Sequence, residues 1–223
     1  MNNEVHRERK LDRSSRKTRA ALGKALIRLL KEKPLKSITV KELAEIADVN
    51  RATFYVHFTD IYDMYEQLIE DFCDLIATIV DKHANEVAHN NFNGLINDLF
   101  KLVYDYQDDL SVIWSNNVDG TLLLNATEVV RERCMATVEP ERTAKQATQN
   151  SSAVHLESNT AQKLFCYQFD YVAGGILSLI RDWLNSGCKE PIDVMTTIAC
   201  TFVSGNAKEA FEKNVLLLSS TGI

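Results

Sequence analysis

The sequence predicts an all-α protein of about nine helices, and three observations support that expectation. Apolar residues recur at the 3.6-residue helical period through almost every segment, and no stretch reads convincingly as a strand. Across 223 residues there are only 8 Gly and 3 Pro, too few for the frequent tight turns of an all-β sandwich. With 45% of residues apolar and 25% charged, the chain can bury a sizeable core, which argues against general disorder.

Taken in order, Leu22, Ala25, Leu26, Leu29 and Leu30 form one apolar stripe between Arg16 and Lys31, and Pro34 ends that helix. Thr39-Val40-Lys41-Glu42 reads as a capping box. It opens a short helix through about Ala47, with Leu43, Ala44 and Ala47 as its small apolar face. Asp48-Val49 leaves room only for a turn before Asn50, the N-cap of a third short helix through Phe58. Phe54 and Phe58 stand one turn apart on its buried side.

Asp60 caps a longer helix whose stripe runs from Ile61 through Met64, Ile69 and Ile76 to Val80. A polar break at His89–Asn91 precedes a helix over Phe92–Tyr106. A short helix around Asp109–Ser115, a turn at Asn117–Gly120 and a helix from Thr121 toward Met135 follow. Glu139–Asn159 is polar, with hardly an apolar residue, and reads as a long mobile loop. A long helix over Thr160–Ser186 ends at Gly187, and Pro191 opens a last one running to about Leu218.

Composition excludes several functions. No apolar run approaches the roughly 18 residues of a membrane helix. The start, MNNEVHRERKLDRSSRK, lacks the apolar core of a secretory signal. The cysteines (73, 134, 166, 188 and 200) are odd in number and widely spaced, without a C-x-x-C, as suits a reducing compartment. A cytoplasmic protein without membrane contact is expected. No Gly-rich phosphate loop, G-x-S-x-G or H-E-x-x-H occurs, so neither enzyme activity nor a cofactor is expected. Asp81, His83, Glu86 and His89 form the only metal-like grouping. His89 lies further round the helix than His83 and Glu86, so a solvated helix end without metal is the expectation.

Charge is divided along the chain. Residues 1–60 hold 14 Lys/Arg against 8 Asp/Glu, whereas residues 61–223 hold 11 against 23. A basic module on an acidic body suits a polyanionic partner, and the acidic body would turn DNA phosphates toward the basic end.

Residues 37–61, SITVKELAEIADVNRATFYVHFTDI, describe two short helices joined by a tight turn. That is the helix-turn-helix arrangement, in which the second helix enters a major groove and the first braces it. Ala44 and Ala47 let the helices approach, and Val49, Phe54 and Phe58 fill the angle. Arg51, Ala52, Tyr55 and Thr59 are left on the outer face. Arg51 suits a bidentate contact to guanine; Tyr55 and Thr53 suit a phosphate or base edge.

Thr39, Val40, Leu43, Ala44, Ala47, Val49, Thr53, Phe54, Tyr55, His57 and Phe58 match, in type and spacing, a pattern shared by TetR-family regulators. The segment over about residues 16–64 therefore resembles the DNA-binding domain of the TetR (tetracycline repressor) family. The resemblance implies a basic flexible arm (1–14), a helix-turn-helix domain (15–60), and a helical ligand-sensing and dimerisation domain (61–223). It further implies a homodimer on a palindromic operator of double-stranded DNA, acting as a repressor that a small-molecule effector releases. The DNA-contacting candidates are Lys17, Thr39, Lys41, Asn50, Arg51, Ala52, Thr53, Tyr55 and His57. Two positions depart from the pattern. Asp48 stands where the family has Gly in the turn, and Ile61 replaces a phosphate-contacting Lys; Lys17, Arg19 and Lys41 are available to compensate.

YVAGGILSLIRDWLNSG (171–187) is similar to the dimer-forming helix of a TetR subgroup. The expected dimer face comprises Gly174, Gly175, Leu179 and Trp183, with Phe202 from the last helix. Tyr65, Phe100, Tyr104, Trp114 and Phe169 are the ligand-lining candidates, with ordinary core packing the alternative for each. A second reading keeps the fold without the operator: a co-regulator that grips another regulator by protein–protein contact.

Overall fold

The computed structural model describes residues 2–89, 91–116, 121–146 and 154–203. Among them all regular structure is helical. The helices are α1 (Asn2–Leu30), α2 (Val40–Ile46), α3 (Arg51–His57), α4 (Ile61–Lys82) and α5 (Ala84–Ala88), with one 3-10 turn at Leu35–Ser37. They are followed by α6 (Asn93–Asp105), α7 (Gln107–Asn116), α8 (Thr121–Gln146) and α9 (Val154–Asn185). A tenth helix, α10, covers 192–203, its first turn closed by the amides of Val194 and Met195 on the Pro191 carbonyl.

Several boundaries differ from the sequence-based expectations. The backbone of the expected arm is helical from Asn2, since residues 2–17 contain neither Gly nor Pro and are rich in Glu, Arg and Lys. Likewise α8 runs to Gln146 and α9 begins at Val154, both inside the stretch 139–159 expected to be a loop, while residues 147–153 lie outside the described residues. The stretch is polar, but Glu141, Arg142, Ala144, Lys145 and Gln146 are good helix formers. Helix α5 was not expected. The Asn117–Gly120 turn and the stretch from 204 toward Leu218 also lie outside the described residues.

The chain divides into two compact units. The first comprises residues to Phe72 together with 108–122. Leu22, Leu26, Leu43 and Phe54 are fully buried in it, from the predicted stripes of α1, α2 and α3. Arg19 of α1 ties this unit to the start of α4: its guanidinium lies 5.2 Å from the Phe58 ring centroid and donates to Gln67 Oε1 at 2.9 Å. Lys33 Nζ, just beyond α1, meets Glu42 Oε1 of α2 at 2.7 Å.

The second unit comprises 73–107 and the residues from 123 onward. Its largest enclosed side chain is Trp183, 2% exposed. Phe100 meets that indole edge-on at 5.5 Å, and Nε1 donates to the Glu190 carbonyl at 3.0 Å. The end of α9 explains the return of the chain. Gly187, at φ 77°, lets the Cys188 amide reach the Trp183 carbonyl at 2.8 Å, the left-handed helix termination for which Gly is best suited.

Candidate nucleic-acid interface

The frame of the interface is set by short-range hydrogen bonds. Thr39 Oγ1 accepts the Glu42 amide at 3.3 Å, and Glu42 Oε2 accepts the Thr39 amide at 3.2 Å, completing the expected capping box. The Lys33 ammonium and the Thr39 hydroxyl hold the Glu42 carboxyl well below its usual range, at about 2. Helix α2 ends in a left-handed turn. The amides of Asp48 and Val49 bond the carbonyls of Glu45 and Ala44 at 3.4 and 3.0 Å, and Asp48 takes φ 54°. Asp48, standing where the family pattern has Gly, thus takes the left-handed backbone itself.

Asn50 starts α3, its Oδ1 accepting the Ala52 amide at 2.8 Å. Beyond α3, Asp60 Oδ1 accepts the Asp63 amide at 2.9 Å, and Asp63 Oδ2 reaches back to the Thr59 amide at 2.6 Å. That amide bond, with Gln67 beside it, holds the Asp63 carboxyl below its usual range. Through Gln67, which bonds both Asp63 and Arg19, the entry to α4 is braced on α1.

Within this frame Phe54 and Phe58 are buried, with ring centroids 5.5 Å apart, and they fix which side of α3 faces out. Arg51, Ala52 and Tyr55 are exposed on α3, and Asn50, Thr39, Lys41 and, on α1, Lys17 are exposed as well. Thr53 and His57 are half-buried at its margin. The Tyr55 ring stands edge-on to Phe54 at 5.3 Å, so its orientation is supported from within while 55% of the residue stays exposed.

Three more residues of the first unit bear on DNA contact. Arg19 is engaged with Phe58, Gln67 and Asp71 of its own unit. Ile61 is buried, as the stripe of α4 predicts, whereas Tyr62 beside it is exposed. Val56 is 77% exposed on α3, one turn from Ala52, and was not singled out in the sequence. Its position on a helical wheel relative to buried Phe54 and Phe58 would have shown it.

Elsewhere the candidates are scattered. Trp183 is enclosed by its own chain, so it does not belong to an exposed dimer face; Phe100 beside it is core, and Tyr104 stacks on the same indole at 6.2 Å. Gly174 and Gly175 are exposed, Leu179 is half-buried, and Phe202 is 61% exposed. Tyr65 and Trp114 are half-buried in the first unit. The Tyr65 hydroxyl is enclosed without a partner among the described residues, and burial pushes its phenol up. In the second unit Phe169 lies under Arg131, whose guanidinium is 5.7 Å from the ring centroid.

His83 is not a solvated helix end. It is buried, with Nδ1 3.0 Å from Glu86 Oε2 and Nε2 2.9 Å from Asp98 Oδ2. Among the described residues no group of three His, Cys, Asp or Glu is placed to hold a metal ion, and no helix is long and apolar enough to cross a membrane.

Comparison with known proteins agrees with this geometry. Residues 23–68 match the family described as bacterial regulatory proteins, tetR family. Residues 90–205, just over half of the chain, match the family described as transcriptional regulator C-terminal region. The chain is 31% identical over 97 residues to YxbF of Bacillus subtilis (strain 168), an uncharacterized HTH-type transcriptional regulator. That match covers 42% of this chain and 26% of the relative, so the chain spans about a quarter of the length of the curated protein it resembles.

Two solved structures share the fold. The fatty acid degradation regulator FadR from Bacillus halodurans superposes with a TM-score of 0.56 at 16% identity, over 86% of this chain and 96% of that one. The dihydroxyacetone kinase operon activator DhaS does so with a TM-score of 0.51 at 14% identity, over the same shares. At such identities the likeness concerns fold alone. Taken with the helix-turn-helix geometry, the two family matches mean that the chain belongs to the TetR family of transcriptional regulators.

Proposed function

We propose that the protein is a homodimeric repressor that binds a palindromic operator through α3 and leaves it when a small molecule binds the residues after 60. The observation that carries operator binding is the outward face of α3. Arg51, Ala52 and Tyr55 stand exposed on a helix fixed from behind by Phe54 and Phe58, in a unit that also exposes Lys17 and Lys41. Two-fold symmetry would match two such helices to two half-sites. Exposed apolar surface supports association: Tyr167 and Tyr171 on α9 are 70% and 72% exposed, one turn apart, and Gly174 follows on the same side. The Tyr65 hydroxyl, and in the second unit the Gln168 amide nitrogen, are enclosed polar atoms without partners among the described residues, the kind of group a ligand satisfies. Release then requires a ligand that prefers one of two dimer geometries.

The test is fluorescence anisotropy with DNA from beside the protein's own gene, random DNA as control and salt as the variable. Selective binding that falls steeply with salt is expected, together with a dimer mass at micromolar concentration. A strictly monomeric mass would defeat the dimer. The buried Ile61 favours the second reading, a co-regulator acting through protein contact, because it removes one phosphate contact. Lack of any selective binding would establish that reading over the first.

A further inference from the structure

We propose that Val56, with Ala52 beside it, reads the 5-methyl group of a thymine in each operator half-site. The inference rests on operator binding through α3 and concerns which bases that helix selects.

The outward face of α3 holds four exposed residues, Arg51, Ala52, Tyr55 and Val56. Residues four apart stand one above the other on a helix, so they form two stripes. Arg51 and Tyr55 make a polar stripe; Ala52 and Val56 make an apolar one. Val56 is the unusual member. It is 77% exposed, whereas Phe54 in the same seven-residue helix is fully buried. A β-branched residue there adds nothing to helix propensity and packs against little of its own chain. The side chain therefore has apolar surface to spend on a partner, within a face whose other members are suited to the major groove.

That groove narrows the partner's chemistry. Base edges present N7, O6, O4 and amino groups there, and the thymine methyl is their one apolar feature. Arg51 suits guanine O6 and N7, but Val56 has no hydrogen bond to offer and would desolvate any of those polar edges without return. Only thymine gives it a favourable contact. Ala52, small and on the same stripe, leaves room for the methyl to seat between them.

The experiment uses the full-length protein and a fragment it binds selectively. Each thymine in turn is replaced by deoxyuridine, which lacks only the 5-methyl group, and binding is compared for the wild type and Val56→Ala. Alanine is the better helix former and Val56 is exposed, so the variant folds. In each half-site the wild type should show a thymine whose replacement weakens binding about three- to five-fold, the size of one buried methyl contact. In Val56→Ala the same replacement should have almost no effect. Insensitivity of the wild type to every uracil, or an undiminished uracil penalty in Val56→Ala, would overturn the inference and leave operator binding intact. Absence of selective binding to any fragment would overturn operator binding itself, and this inference with it.

Discussion

The amide of Val49 donates to the carbonyl of Ala44 at 3.0 Å, a bond that closes the end of α2 only because Asp48 between them accepts a φ of 54°. An L-residue in the left-handed region is strained by its Cβ, and Asp tolerates this better than most but less well than Gly. Asp48→Gly should therefore stabilise the protein by about 0.5–1 kcal/mol, although Gly makes the unfolded chain more flexible. Urea unfolding followed by circular dichroism would read this as a higher midpoint with unchanged slope. A lower midpoint would mean that the Asp48 side chain contributes more than its backbone strain costs.

Local chemistry explains which features the sequence made legible. Thr39, Glu42, Asn50 and Asp60 act on amides two or three residues away, so their capping roles follow from spacing alone. Arg51, Ala52 and Tyr55 on the outward face of α3 were readable from helical spacing, whereas Val56 was missed. Contacts across the chain were not. Arg19 looks like one more basic residue until Phe58 and Gln67, far along the sequence, are folded against it. Trp183 lies in a helix that reads as a dimer face, but the turn after α9 brings the Glu190 carbonyl over its indole nitrogen. Polarity in the 139–159 stretch does not by itself mean lack of structure, since its backbone is helical up to Gln146 and again from Val154.

His83 shows the same limit and permits a pH prediction. Its ring lies between Glu86, three residues on, and Asp98, whose Oδ2 also takes Lys82 Nζ at 2.6 Å. The Lys82 and His83 bonds hold the Asp98 carboxyl at about 2, against an ordinary value of 3.8. A depressed carboxyl stabilises the fold above its unfolded value and loses that contribution as pH falls through the folded one. Asp98→Asn keeps an acceptor but removes the charge, so at pH 7 it should cost about 1 kcal/mol. Between pH 4 and pH 2, taken from those two values, the gap between variant and wild type should close. Urea midpoints across that range provide the check; a gap constant with pH would detach Asp98 from the acid response.

Gly94 adjoins the same cluster. A Cβ built there would stand 2.6 Å from Glu86 Oε2, 2.7 Å from His83 Cε1 and 2.8 Å from His83 Nδ1. The carboxylate can swing away, but the imidazole is buried and held on both nitrogens. Gly94→Ala should thus destabilise by about 1–2 kcal/mol despite the better helix propensity of alanine. Gly23 in α1 has nothing within 4 Å of the same construction, so Gly23→Ala should instead stabilise, by about 0.5–1 kcal/mol. Thermal unfolding of the two variants side by side separates crowding from propensity; a stabilised Gly94→Ala would show that the cluster yields.

Three basic residues of the first unit separate by what each already touches. Arg51 and Lys17 are exposed and unpaired among the described residues, whereas Arg19 is committed to Phe58, Gln67 and Asp71. Arg51→Ala removes a candidate base contact, so it should reduce preference for the operator over random DNA by about 1–3 kcal/mol while random binding changes little. Lys17→Ala should weaken operator and random DNA alike and lower the salt slope by about one, the signature of a single lost phosphate contact. Arg19→Ala should show first in unfolding, at about 1 kcal/mol from the lost ring and amide contacts. Anisotropy titrations on both DNAs at several salt concentrations, paired with urea unfolding, distinguish the three. Equal loss on both DNAs for Arg51→Ala would remove α3 from the base edges and make it a phosphate contact instead.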